Sequence, residues 1–278
     1  TNTMAASLVD ILDKKGIELT VVGLPKTVDN DVYPIFQTLG ASTAAEQSSI
    51  FFENISNENT TSHRQLIIHE VMGRNCGWLT AASAKVYRKR LELKRFLPDI
   101  LIAKKRWDIH AVYIPESNFD FNKECSRLKK IMDENDCVNI FLSEGAGIDT
   151  IIKEKENIGE EIQRDAFGHI RLDSINPGNW FAKKFGERLN ADKILVQKSG
   201  YFARSAPANN EDLDLIKKTA IIAVEEALKG KSGVVGLDND NNGLLGLIDF
   251  NKIKGGKPFD PKTTWFQKML TEIGQISN

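Results

Sequence analysis

Residues 65–89, QLIIHEVMGRNCGWLTAASAKVYRK, decide the fold. Gln65 to Met72 is a short apolar run of strand length. Gly73 and Gly77 punctuate the turn after it, and Gly77 to about Lys89 carries a helical pattern. A short apolar strand, a glycine-bearing turn and a helix make the repeating unit of a parallel sheet covered by helices.

The same alternation extends in both directions. Upstream, residues 3–15 read as an amphipathic helix closed by Gly16, with Thr3 as its N-cap. Glu18 to Gly23 reads as a short buried strand, residues 24–37 as a polar loop, and Thr38 to about Asn57 as a long helix. Downstream come strands at Ala111–Ile114, Val138–Leu142, Lys193–Gln197 and 233–236. Helices at Phe121–Glu134, 177–189 and 211–229 separate them. Residues 145–165 read as a charged insertion or surface excursion. The expected fold class is α/β, with parallel sheets flanked by helices. Such sheets bind ligands at the carboxyl ends of their strands, so the loops after strands are the places to look.

Composition narrows the classes of function. Lys and Arg number 37 against 38 Asp and Glu, a formal net charge of −1. That balance gives no general pull toward nucleic acid or an anionic membrane. Local clusters such as Lys104-Lys105-Arg106 and Lys252-Ile253-Lys254 read as solvated surface. No apolar run approaches the roughly 18 residues of a membrane helix, and the first residues are not a signal peptide. Cys76, Cys125 and Cys137 lie far apart, with neither metal-ligand nor disulfide-framework spacing. A cytoplasmic setting fits. His63, His69, His110 and His169 form no metal set; His69, inside a strand, reads as a buried structural residue, and Phe51-Phe52 as core.

Four strand-end loops carry groups suited to phosphate or sugar. Pro25-Lys26-Thr27-Val28-Asp29-Asn30-Asp31 follows the strand ending at Gly23. A carboxylate there can take a proton from a hydroxyl, a lysine can neutralise a transferring phosphoryl group, and two acids two residues apart can help organise magnesium. The plainer reading is an Asx-rich turn. Met72-Gly73-Arg74-Asn75-Cys76-Gly77 offers free amides at a helix N-terminus beside an arginine, or simply a glycine turn. Glu144, after the strand at 138–142, could bind sugar hydroxyls or cap a loop. Tyr201 and Arg204, in the loop after 193–197, could grip an anion or pack locally.

Taken together these residues resemble the phosphofructokinase family. Pro25–Asp31 resembles its T-x-D-x-D loop, Met72-Gly73-Arg74 its M-G-R motif, and Glu144 the glutamate after a later strand. Tyr201 and Arg204 resemble the G-Y-x-x-R loop of the pyrophosphate-using branch. Lys26 stands where ATP-using relatives carry glycine and that branch carries lysine. Tyr201, in place of histidine, points the same way. The match in order and context runs from residue 1 to about 210.

The resemblance implies a two-lobed fold and definite roles. Asp29 would be the base for the sugar's 1-hydroxyl, and Lys26 would stabilise the donor phosphates. Thr27 would contact substrate and Asp31 would support the charges. Met72, Gly73, Arg74, Glu144, Tyr201 and Arg204 would bind fructose 6-phosphate. Arg64 would reach a neighbouring subunit's sugar phosphate in a homodimer. The donor would be pyrophosphate with Mg2+, and the alternatives are an ATP-dependent enzyme or a non-catalytic sugar-phosphate-binding subunit. The family's G-G-D glycine loop would lie just before Thr1-Asn2-Thr3, so the expectation is an N-terminally truncated chain, inactive alone, whose main magnesium ligand lies upstream. Residues 1–60 would be the rest of the donor-binding lobe and 61–205 the sugar-phosphate lobe. Residues 206–278 would return to the first lobe.

Overall fold

The computed structural model describes residues 2–160, 162–163 and 175–275. The chain forms two compact units, one of residues 1–44 and 204–258, the other of 45–203 and 259–278. The expected division placed everything after 206 with the first lobe. The structure returns the chain only as far as Pro258, and Phe259 onward packs with the second unit.

The second unit holds the sheet that residues 65–89 announced. Its strands are β3 (Gln65–Val71), β4 (Ala111–Tyr113), β5 (Cys137–Ser143) and β6 (Lys193–Lys198). They are all parallel, in the order β4-β5-β3-β6. β3 and β5 are buried along their whole length, as their near-continuous apolar runs require. Alternation along β3 divides the core. Leu66 and Ile68 pack with Leu128, Phe181 and Phe185 of the helices Phe121–Asn135 and Pro177–Leu189. His69 faces the opposite way, among Phe51, Phe52 and Phe141.

Capping follows local chemistry. Asp120 accepts the amides of Asn122 and Lys123 at the start of the helix Phe121–Asn135, and Asp136 ends it at φ 60°. The edge of β4 is covered by one side chain: Gln275 accepts the Val112 amide at 2.8 Å and donates to the Val112 carbonyl at 3.1 Å. The helix Thr264–Glu272 lies just before it in sequence.

His69 is buried as expected, and burial lowers its pKa to about 3; burial likewise takes His110 to about 4. Both rings are therefore neutral in the folded protein. Below pH 6.5 the unfolded chain binds protons that the folded one cannot. Stability is complete above that pH and is lost as the pH falls toward 4 and then 3, by about 1.4 kcal/mol per pH unit for each group. Phe at position 69 would sit among the same aromatic rings without a proton to gain. His69→Phe is expected to flatten the dependence of the urea midpoint on pH between 6.5 and 4.5; identical slopes for the two proteins would refute this.

The first unit has a three-stranded sheet, β1-β7-β8, from Val22–Gly23, Gly233–Asp238 and Leu244–Ile248. β1 runs parallel to β7, and β8 antiparallel. The strand expected over Glu18–Gly23 shrinks to two residues, because β1 lies at the sheet's edge and only Val22 and Gly23 pair with β7. Two-residue strands β2 (Val32–Tyr33) and β9 (Lys254–Gly255) pair nearby. The first helix is Asn2–Asp13, so Thr3 lies inside it and is not its N-cap. The long helix of this unit is Asn210–Leu228; Ala41–Ser56 starts in this unit and continues as part of the second.

Two further expectations change. Residues 148–157 of the charged stretch form a helix, Ile148–Asn157; residues 161, 164 and 165 lie outside the described residues, as does His169. Arg106 is not a solvated charge, since its guanidinium donates to the carbonyl of Asn59. Among the described residues no helix is long and apolar enough to cross a membrane.

Candidate active site

In the first unit, the segment Pro25–Asp31 leaves the carboxyl end of β1. Two neighbours fix its backbone. Asn30 is buried at φ 55°; it donates to the Phe36 carbonyl at 3.0 Å and accepts the Thr38 amide at 2.9 Å. The fully buried Thr38 donates its hydroxyl to the Thr27 carbonyl at 2.7 Å. The Leu39 amide donates to the Pro25 carbonyl. Asn30 therefore does the work of an Asx turn, and its neighbours are held without being buried. Lys26 is exposed, with its stem beside Gly40, and Asp29 is partly exposed. Thr27 Oγ1 accepts the Asp29 amide at 3.2 Å and donates to Asp31 Oδ1 at 3.3 Å.

The next helix starts under a buried carboxylate. Asp212 accepts the amides of Gly40 at 3.0 Å and Thr43 at 2.8 Å, filling the orphan donors at the start of Ala41–Ser56. This fixes the chain directly after the loop.

In the second unit, Met72, Gly73, Arg74 and Glu144 come together at the carboxyl ends of β3 and β5. Glu144 Oε1 accepts the Gly73 amide at 3.2 Å, and Ser143 donates to the Gly73 carbonyl at 2.6 Å. Gly73 has φ 132°, which favours glycine. Burial pushes the Glu144 carboxyl up. Arg74 is exposed, and beside it opens a cleft of about 300 Å³ bordered also by Asn75, Asp149 and Trp180. That is the lower end of the range for small-molecule sites.

The free helix-terminal amide expected at Gly77 is already taken. Glu116 accepts it through Oε1 at 2.9 Å, and the same oxygen accepts the Phe259 amide at 2.8 Å. The anion at this helix start is thus the protein's own. The sequence shows Glu116 only as the end of the stretch 107–116, which also resembles the pyrophosphate-using branch, and assigns it no role, although it follows β4 by the same strand-end rule. Sequence reasoning also passed over Glu70 and Lys198, whose side chains pair at 2.7 Å. Their signal was position alone: both stand at the carboxyl ends of strands.

Tyr201 and Arg204 lie on one short helical turn, Gly200–Arg204, after β6, and both are exposed. Arg64 stands at the other end of β3 from Met72, roughly 25 Å away at the rise of a strand. Its guanidinium donates to the carbonyls of Leu189 and Asn190 and pairs with Asp133 at 2.9 Å. The structure does not bring it to the Met72–Glu144 cluster.

No group of three or more His, Cys, Asp or Glu that could hold a metal ion occurs among the described residues. Magnesium in phosphoryl transfer needs only one or two carboxylates when substrate phosphates supply the rest. Asp29 and Asp31, two residues apart on the strand-end loop, are carboxylates of the kind that could face an ion carried on a donor's phosphates.

The phosphofructokinase family model matches residues 3–227. The chain is 54% identical over 275 residues to a pyrophosphate–fructose 6-phosphate 1-phosphotransferase of Methylomonas methanica, and 53% to one of Mastigamoeba balamuthi. Each alignment takes in 99% of this chain and 67% of the relative. A pyrophosphate-dependent phosphofructokinase structure from Marinobacter aquaeolei superposes with a TM-score of 0.64 at 21% identity, over 100% of this chain and 66% of that one. The chain thus spans about two thirds of the length of the proteins it matches. With the family model covering most of the chain and its loops set at the ends of parallel strands, this chain belongs to the phosphofructokinase family.

Proposed function

We propose that the chain is the catalytic part of a pyrophosphate-dependent 6-phosphofructokinase. It would move a phosphoryl group reversibly from pyrophosphate to fructose 6-phosphate, giving fructose 1,6-bisphosphate and orthophosphate. The observation that carries this reading is Lys26, an exposed cation on a braced strand-end loop, in a chain more than half identical to relatives named for that reaction.

The sugar's 1-hydroxyl oxygen attacks the terminal phosphorus of pyrophosphate. The hydroxyl proton passes to Asp29, and the bond from that phosphorus to the bridging oxygen breaks. Lys26 meets the charge on the donor, which lacks a nucleoside to anchor it. Asp31 and Thr27 keep the loop in register. Met72, Gly73, Arg74, Glu144, Tyr201 and Arg204 hold the sugar phosphate. Magnesium, when bound, neutralises the donor's phosphate oxygens, and Asp29 and Asp31 are the residues here that would face it. Catalysis of this kind is positioning plus electrostatics. The same reading has a cytoplasmic homodimer, with Arg64 offered toward a neighbouring subunit.

The test is a donor comparison on the intact protein. Turnover of fructose 6-phosphate is expected with pyrophosphate and not with ATP; the reverse would overturn the proposal. Lys26→Ala is expected to lower kcat/KM for pyrophosphate about 10²–10³-fold, the scale for loss of one charge-stabilising group in the transition state.

A further inference from the structure

Glu70 belongs to none of the motifs, yet it is a carboxylate in the sheet's central strand at 5% exposure. A charge so deep requires partners. Its Oε2 accepts the Gly178 amide, in the first turn of the helix Pro177–Leu189, at 2.9 Å. Its Oε1 lies 2.7 Å from Lys198 Nζ. The fit is close: a Cβ on Gly178 would fall 2.3 Å from Oε2. Glu70 and Lys198 are register partners on β3 and β6.

Anchoring the helix would need only a neutral acceptor. The negative charge does something more. It draws the Lys198 ammonium to the strand ends where Arg74 and Glu144 also stand, while the Lys198 side chain stays half exposed. Glu144 feels all three: Glu70 repels its charge, and Arg74 and Lys198 attract it.

We propose that Glu70 is a positioning residue for the sugar-phosphate half of the site, holding the Lys198 ammonium toward the substrate's negative charge and setting the charge beside Glu144. This rests on the phosphofructokinase reading.

Glu70→Gln keeps an acceptor for Gly178 and removes the charge. In the intact protein, KM for fructose 6-phosphate is expected to rise about tenfold and KM for pyrophosphate to stay within about twofold. Lys198→Met should give the same rise, and the double variant no more than either alone. Losing the negative neighbour lets Glu144 ionise more readily, so the acid limb of the kcat/KM profile for fructose 6-phosphate moves to lower pH. Unchanged KM values, equal rises for both substrates, or additive effects in the double variant would overturn the inference. Should Glu70→Gln fail to fold, the half-exposed Lys198→Met decides alone, and a normal KM for fructose 6-phosphate there overturns it. An intact protein that turns over no fructose 6-phosphate with pyrophosphate removes both readings; an active wild type with an unaltered Glu70→Gln removes only this one.

Discussion

Asp29→Asn is expected to lower kcat by about 10²–10⁴-fold, the usual contribution of a positioned general base, with the fold unchanged. The structure separates the two effects. What fixes the loop is Asn30, Thr38 and the backbone bond between Leu39 and Pro25, none of which uses the Asp29 side chain. The Asp29 amide still reaches Thr27 Oγ1 in the variant. An amide side chain of the same shape occupies the same space but takes up no proton. Turnover should therefore fall while the urea midpoint and the KM for fructose 6-phosphate stay close to wild type. A folded Asp29→Asn protein with near-normal kcat would remove the general-base role from Asp29.

That separation explains what the sequence could and could not disclose. β3 and β5 were legible through their apolar cores, residues 66–68 and 140–142, although both strands also bury polar residues such as His69, Glu70 and Asn139. Glu18–Thr20 misled for the opposite reason: an apolar pattern needs a neighbouring strand to become one, and β1 pairs only through Val22 and Gly23. The hairpin of β7 and β8 turns through residues 239–243, a 3-10 turn at Asn239–Asn241 closed by Asn242 and Gly243 at positive φ; a five-residue connection of this kind is a weaker signal than a tight two-residue turn. The candidate site loops were legible as residue types at strand ends. Their supports were not. Glu116 holds an amide 39 residues away and Glu70 one 108 residues away, and no local spacing announces a partner that only the folded chain supplies. The free amide expected at Gly77 failed on this ground.

The second large effect comes from a residue with no side chain. At Gly145 a Cβ would fall 1.8 Å from the Arg74 carbonyl oxygen and 2.7 Å from its carbon. Both neighbours are backbone, so no rotamer change relieves the clash. The loop after β5 or the turn after β3 has to move by more than an ångström, and each is tied to the other. Ser143 bonds the Gly73 carbonyl, Glu144 the Gly73 amide, and the Glu144 amide the Val71 carbonyl. Any shift that admits the methyl group strains all three bonds at the place where the proposed sugar-phosphate residues meet. Gly145→Ala is expected to cost about 3 kcal/mol or more, within the range for strain in a packed interior. That loss is measurable as a lower urea midpoint with an unchanged slope. The remaining folded protein should show a KM for fructose 6-phosphate raised by at least about tenfold, because Arg74 and Glu144 no longer keep their separation. KM for pyrophosphate should change little, since Lys26 and Asp29 belong to the other unit. A Gly145→Ala protein with wild-type stability and wild-type KM values would show that the two loops can part without cost, and that their contact does not shape the sugar-phosphate site.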